Sequence, residues 1–502
     1  MPANRVDPDF LSLPLDALAD AALERAKNLG ATYADFRLER IRTQSIAARD
    51  RELESLSNGE TLGLGVRVIA EGAWGFAATV EPTTDAAADA AARAAAVART
   101  LGALNSEPVE LADEPVYTDT WVSAYELNPF EVGDDVKIAF LLGGSGGLLD
   151  SGKVDHTSAR LVQVLENKFL ASLAGSRITQ QRVRCEGNFT ARRVDKDSGA
   201  FDSMRTNAMP VGRGWEYFAN GYDFDGELDA LPALLEEKMA SPSVEPGPRD
   251  LVIHPTNLWL TIHESIGHST ELDRVLGYEA NYAGTSFATL EDLDTLQFGS
   301  GVMNVTGDRL VDHGLSTVGY DDEGVKAQRW DIIRDGVLTG YQLNRQMARK
   351  QGFGRSNGCA FADDPGHVPL QRMPNVSLQP SPKAITLDDL IGGVEDGIYV
   401  VGDRSWSIDM QRYNFQFTGQ TFYRIKGGRI AGQYKDVAYQ SNTTTFWNAM
   451  EAVGGPETYV LGGAINCGKG QPGQIAAVTH GCPVALFRGV NVLNTATEGA
   501  SA

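Results

Sequence analysis

Between positions 15 and 31 apolar residues return every three to four places, LDALADAALERAKNLGA, and Gly30 stands where the run would stop. The spacing predicts a helix. From Tyr33 to Thr79 the pattern changes to alternation punctuated by glycine, which predicts strands joined by hairpins. An alanine-rich run from Asp85 to Leu101 predicts a second helix. A second unit follows: a helix at DDVKIAFLL (134–142), three or four strands over 156–194, and a closing helix at ELDALPALLEEKMA (227–240). SPSVEPGPRD, 241–250, holds three prolines and a glycine and is the best candidate for a linker. Beyond it the chain reads as β-rich, with hairpin signals at D-G in WDIIRDGVLTGYQL and at G-G in TFYRIKGGRIAGQYKDVAYQ. The expected fold class is α+β. An α/β N-terminal half (1–240, built of units near 1–105 and 106–240) has mixed sheets and flanking helices. A β-rich C-terminal domain (251–502) follows, carrying one metal-binding helix.

Charge narrows the partners. The formal net charge of −22 argues against nucleic acid and anionic membranes, both of which favour basic surfaces. The N-terminal stretch MPANRVDPDFLSLPLDALADAAL lacks a basic region followed by an apolar one, and no apolar run is long enough to span a bilayer. A cytoplasmic location is expected. The four cysteines, at 185, 359, 467 and 482, are then core residues, metal ligands or reactive groups more readily than disulfide partners. Two motifs resemble nucleotide sites without completing them. GLLDSGKV (147–154) ends in Val154 where a magnesium-binding hydroxyl is needed, and GLGVRV (63–68) lacks a third glycine.

The informative stretch is HESIGH, 263–268. Zinc peptidases place two histidines four apart on a helix, with a glutamate after the first. Here His263 and His268 are five apart, which on a regular α-helix puts them about 140° apart around the axis. A π-type bulge, aided by Gly267, would return both to one face, so the spacing predicts a local helix defect and does not exclude a metal. Asn257 or Thr256 can cap this helix, and it can run to about Arg274. Glu264 is placed to act as a general base. A histidine in a helix is as often a packed or surface residue. Glu271 and Asp273, in the adjoining HSTELD, belong either behind the ligands or on a solvated helix face. A catalytic zinc needs a third protein ligand; spacing leaves Glu271, Cys467, His480 and Cys482 open. Cys467 sits in a glycine-rich turn, NCGKGQPGQ, whereas Cys482 precedes Pro483 and the apolar VALF and reads as a core residue.

The sequence resembles the TldD/PmbA family of zinc metallopeptidases over nearly its whole length. The match starts at GATYADFRLERIRTQSIAARDRELE and LGVRVIAEGAWGFAAT. It continues through HESIGHSTELD, GTSF (284–287), DDEG (321–324), DGVLTGYQLNRQMAR, QRMPN (371–375) and GIYV, and ends at CGKGQPGQ. The resemblance implies one zinc per chain, held by His263, His268 and Cys467, with Glu264 as catalytic base. It implies unstructured peptide substrates threaded into an internal chamber. It also implies a dimer, either of two copies or of this chain with a related subunit lacking the motif. Since the motif is intact, the chain resembles the TldD-type subunit. Two stretches depart from the family pattern: 402–417, where many members are glycine-rich, and 356–367, which carries Cys359.

The reading from sequence is a zinc-dependent peptidase. Gly284, Thr285, Ser286 and Phe287 are expected to pair with an extended peptide by strand addition, and His367 and Arg372 are candidate cleft residues. The alternative is a binding or assembly subunit with a structural metal or none.

Overall fold

The computed structural model describes residues 5–470 and 473–498; Gln471 and Pro472 of the glycine-rich turn lie outside them. The fold is α+β. Both N-terminal units contribute to one sheet. Its strands lie in the order Ala73–Thr79, Glu52–Ala70, Tyr33–Arg49, His156–Ser172, Arg177–Val194 and Thr118–Val122, with Phe201–Arg205 also pairing on Arg177–Val194. Residues 156–194 form two long strands, not three or four. Within them only the turn at 173–176, with Gly175 at φ +114°, breaks the alternation.

The alternation sorts the two faces. Ala34, Phe36 and Leu38 are buried under the helices Leu15–Asn28 and Thr84–Gly102. The latter packs through its alanines so closely that a Cβ on Gly75 would lie 1.9 Å from Ala94 O. Helices Asp134–Asp150 and Phe224–Ala240 cover the other half of this layer. GLLDSGKV is the end of the first of these, closed by Gly152 at φ +67°, as a turn after a helix requires. The alternate residues Asp35, Arg37 and Glu39 are also buried, and their face meets the C-terminal half. There Lys168 pairs with Asp322 at 2.9 Å and Arg67 with Glu323 at 3.3 Å. The DDEG motif is thus part of an ionic interface between the halves.

In the C-terminal half a sheet closes on itself. Strand Asp396–Ile408 pairs with both Gly247–Ile253 and Asn414–Lys426, and Ala485–Asn494 and Val437–Asn442 complete the ring. Both predicted hairpins form, with Asp335 and Gly336, and Gly427 and Gly428, at positive φ. Against the ring lies the largest apolar cluster, which encloses the helix Pro255–Ile262. Among the described residues no helix is long and apolar enough to cross a membrane.

Candidate metal centre

Strand Gly247–Ile253 leads directly into the HESIGH helix. Its cap is His254, whose Nδ1 accepts the Thr256 N–H, and Pro255 takes the first helical position. The expected caps do other work. Asn257, inside the first turn, donates to Gly402 O and Thr418 O (both 2.9 Å) and ties the helix to two strands of the ring.

The predicted defect is present. His263–Gly267 is a π turn, in which the His268 N–H bonds to His263 O five residues back. Gly267 has φ −53°, an ordinary helical value, so backbone freedom is not its role. Space is: a Cβ there would lie 2.5 Å from Met373 Sδ. The helix does not run on to Arg274. It tightens into a 3-10 turn at His268–Thr270, and Glu271 then becomes extended and bridges to Gln342 before a short helix, Leu272–Val275. The break turns Glu271 back towards His268.

One ligand atom each from His263, His268 and Cys467 lies within 4.8 Å of the other two. Cys467 Sγ is 3.7 Å from His268 Nε2. A tetrahedral ion with bonds of about 2.3 Å to sulfur and about 2.05 Å to nitrogen separates such a pair by roughly 3.5 Å. Cys467 lies on the strand Val460–Lys469, ahead of the expected turn. A register shift between Ala464 and Cys467 re-aims its side chain. The other sequence candidates for third ligand fall elsewhere. Glu271 and His480 stand behind the histidines, and Cys482 is a core residue whose thiol burial pushes up.

Hydrogen bonds fix which nitrogens are free. Burial holds His480 well below the ordinary imidazole range and His263 below it, so both are neutral. Val376 O can only accept, so the proton of His480 is on Nδ1 (2.9 Å) and its Nε2 is an acceptor. His263 Nδ1, 2.8 Å away, must therefore donate, which leaves the lone pair of His263 on Nε2. His268 Nδ1 faces Glu271 Oε2 at 2.8 Å. Burial opposes ionisation of Glu271, but Lys469 and His268 hold it well below the usual carboxylate range, so it accepts and His268 Nε2 is freed. Lys469 reaches Glu271 at 3.0 Å and Asp273 at 2.8 Å, and burial raises Asp273 despite that contact. Metal-binding histidines characteristically donate their second N–H to such partners. Burial opposes a thiolate at Cys467, yet His268 and Arg372 outweigh it and lower the thiol. Two imidazoles that each present Nε2, with a thiolate, are a donor set that fits zinc.

Glu264 is buried beside this cluster. Burial opposes its charge, but its surroundings, the Arg412 guanidinium among them, keep it below the usual carboxylate range. Arg412 Nη1 donates to Glu264 Oε2 at 2.7 Å. Arg412 belongs to the turn between strands Asp396–Ile408 and Asn414–Lys426, within the departing 402–417 stretch. The same turn occupies the 284–287 edge: Thr285 N–H donates to Met410 O and Phe287 N–H to Gln411 O, both at 2.8 Å. Gly284 permits this approach, since a Cβ would lie 2.0 Å from Met410 O. Ser286 Oγ bonds to Ser269 O. Arg372 is buried and donates to Cys467 O. His367 bonds to Asp363 and accepts from Arg37, neither of them in the cluster. Sequence reasoning missed Arg412 and Lys469. Only their chemistry, a cation in a matched or departing segment, was visible.

The model for the PmbA/TldA metallopeptidase C-terminal domain matches residues 246–494, and that for domain 1 of the same peptidases matches residues 34–98. The chain belongs to the PmbA/TldD family. A Methanothermobacter thermautotrophicus protein named metalloprotease is 28% identical, over 92% of this chain and 96% of its own. A zinc metalloprotease TldD homolog of Saccharolobus solfataricus is 22% identical, over 86% and 90%. Among solved structures, TldE of Thermococcus kodakarensis aligns with a TM-score of 0.68 at 14% identity, over 94% and 98% of the two chains. A Thermotoga maritima protein described as a candidate modulator of a DNA gyrase aligns at 0.75 and 15%, over 95% and 100%. At these identities the two structures speak for the PmbA/TldD fold alone.

Proposed function

We propose that this protein is a zinc-dependent peptidase that holds one zinc per chain through His263, His268 and Cys467 and hydrolyses unstructured peptides in an internal cleft. The observation that carries the reading is the π turn, which brings two histidines five apart against a distant thiol with Glu264 alongside. When bound, zinc supplies Lewis acidity, polarising a carbonyl and making water a stronger acid. Glu264 takes the proton from water at a carboxylate oxygen and passes it to the leaving amine. Glu271 and His480 hold the two imidazoles in the tautomers that present Nε2, and Lys469 and Asp273 hold Glu271. An extended peptide pairs with Gly284–Phe287 once the turn around Met410 and Gln411 yields that edge. We place the protein in the cytoplasm, where its four unpaired, buried cysteines stay reduced. Its partner is a second copy or a related motif-lacking subunit; the likeness to TldE supports the latter.

The test is hydrolysis of a mixture of unstructured peptides by zinc-loaded protein. Cleavage should stop on chelation and return with zinc. A fully zinc-loaded chain, assayed alone and with a motif-lacking partner, that cleaves no peptide overturns the reading.

His480 supplies a separate prediction. In His480→Phe the His263 Nδ1–H loses its acceptor, and zinc affinity should fall by roughly 10–100-fold. In His480→Gln the side-chain carbonyl can still accept, so most of the affinity should remain. Competition against a chelator of known affinity measures both.

A further inference from the structure

Segment 404–412 reaches the metal centre from the C-terminal sheet. Up to Asp403 its strand is tied to the body of the protein. Asn257 donates to Gly402 O at 2.9 Å, and Arg205 reaches the Asp403 carboxylate at 2.7 Å. A register shift between Asp403 and Trp406 then interrupts the pairing, and residues 404–407 are exposed. At the far end Thr443 holds Tyr413 O (2.7 Å) and Arg412 O (2.8 Å). Between these anchors the turn keeps its own shape. The Asp409 carboxylate accepts from the backbone N–H groups of Gln411, Tyr413 and Asn414, at 3.1, 2.8 and 3.0 Å.

The segment takes up two things that a substrate needs. Met410 O and Gln411 O hold the N–H groups of Thr285 and Phe287, the donors an extended peptide would use along that edge. Arg412 Nη2 adds a bond to Ala283 O at 3.3 Å. Ser286 Oγ fixes the same edge to the metal-binding segment through Ser269 O, at 2.7 Å. The segment also holds the base. Arg412 Nη1 donates to Glu264 Oε2 at 2.7 Å, and the Trp406 indole N–H is a second donor to that carboxylate. Yet the fit is imperfect. Arg412 sits at φ +63°, which a non-glycine residue holds at some cost, and its buried Nε has no acceptor among the described residues. Trp406 and Met410 are 52% and 56% exposed, so lifting the segment uncovers little further apolar surface. Specific bonds with poor packing suit a segment that comes away.

We infer that segment 404–412 is an autoinhibitory latch, which at rest occupies the peptide's place along Gly284–Phe287, holds the Glu264 carboxylate, and is displaced by an incoming peptide. The inference rests on the peptidase reading. One sheet edge cannot serve latch and peptide at once, so apparent affinity falls by the fraction of chains in which the latch is lifted. A peptide that adds to the edge replaces the carbonyls of Met410 and Gln411. It thereby draws Trp406 and Arg412 off Glu264, and seating of the substrate frees the base in the same event. The segment lies within 402–417, the stretch that departs from the family pattern.

Two variants loosen the latch, and either suffices if the other does not fold. Asp409→Ala removes the acceptor that shapes the turn and leaves the metal ligands and Glu264 in place. Arg412→Gly releases the carboxylate, and glycine takes the positive φ without strain. Each is added to zinc-loaded full-length Glu264→Gln protein, in which turnover is slowed and the side-chain carbonyl can still accept from Arg412. Amide hydrogen exchange over residues 283–288 is measured without peptide. Binding is measured by the anisotropy of a fluorescently labelled unstructured peptide, and cleavage of that peptide on the wild type. Exchange at Thr285 and Phe287 should quicken by about tenfold, and the peptide should bind about tenfold more tightly, the gain available where the latch is lifted in roughly a tenth of the chains at rest. Either change without the other, or neither, overturns the latch, even where the wild type cleaves the peptide and the peptidase reading stands. Weaker binding in both variants overturns it as well, since the segment would then be part of the peptide's seat. Faster exchange and tighter binding with no cleavage by the wild type keep the latch and count against the peptidase reading.

Discussion

Cys467→Ser should lose zinc, with affinity falling by more than the roughly 10–100-fold typical of removing a partner behind a ligand. The site is buried, so water cannot easily replace the sulfur. A serine hydroxyl does not ionise near neutral pH and is a harder donor than a thiolate. No other cysteine can substitute. Cys482 bonds towards Pro255 O at 3.8 Å, Cys185 towards Gly214 O at 3.7 Å and Cys359 towards Asn357 at 3.2 Å. The loss should also leave Arg372 facing a site with less negative charge, so a modest fall in melting temperature is expected even without metal. Elemental analysis of the variant beside the wild type measures the zinc. A variant that keeps a full equivalent sends the third ligand elsewhere.

Glu264→Gln should do the opposite: zinc and fold retained, peptide hydrolysis lowered by about 10²–10⁴-fold, the usual range for losing a general acid–base group. Glutamine has nearly the same shape, and its side-chain carbonyl can still accept the Arg412 Nη1–H that Glu264 Oε2 accepts now. What it cannot do is take a proton from water. Paired metal analysis and peptide assays separate the two effects. This variant also discriminates between the two functions read from the sequence. A binding or assembly subunit would be indifferent to the change.

The contrast between these residues and their neighbours shows what could be read in advance. On a regular helix His263 and His268, five apart, cannot share one metal, so a π-type defect followed from the sequence once both were taken as ligands. The hairpins at Asp335–Gly336 and Gly427–Gly428 were equally local. Cys467 stood among four candidates from the residues alone and was singled out by family resemblance, and its strand register shift had no sequence mark. Arg412 meets Glu264 across 148 positions and His480 meets His263 across 217. Those contacts exist because a sheet closes on itself and because the Cys467 hairpin folds back against the helix, which no periodicity encodes. Gly267 illustrates a subtler limit. A glycine was expected there for flexibility, but the reason it is needed is the Met373 sulfur packed against it.

The central claim is that a stretched histidine motif closes on one zinc through a distant thiolate. Zinc K-edge X-ray absorption on the zinc-loaded chain tests it most directly. The account predicts one sulfur at about 2.3 Å and two imidazole nitrogens at about 2.0–2.1 Å, with a light atom completing the shell. A shell without sulfur, or with a single imidazole, would contradict it.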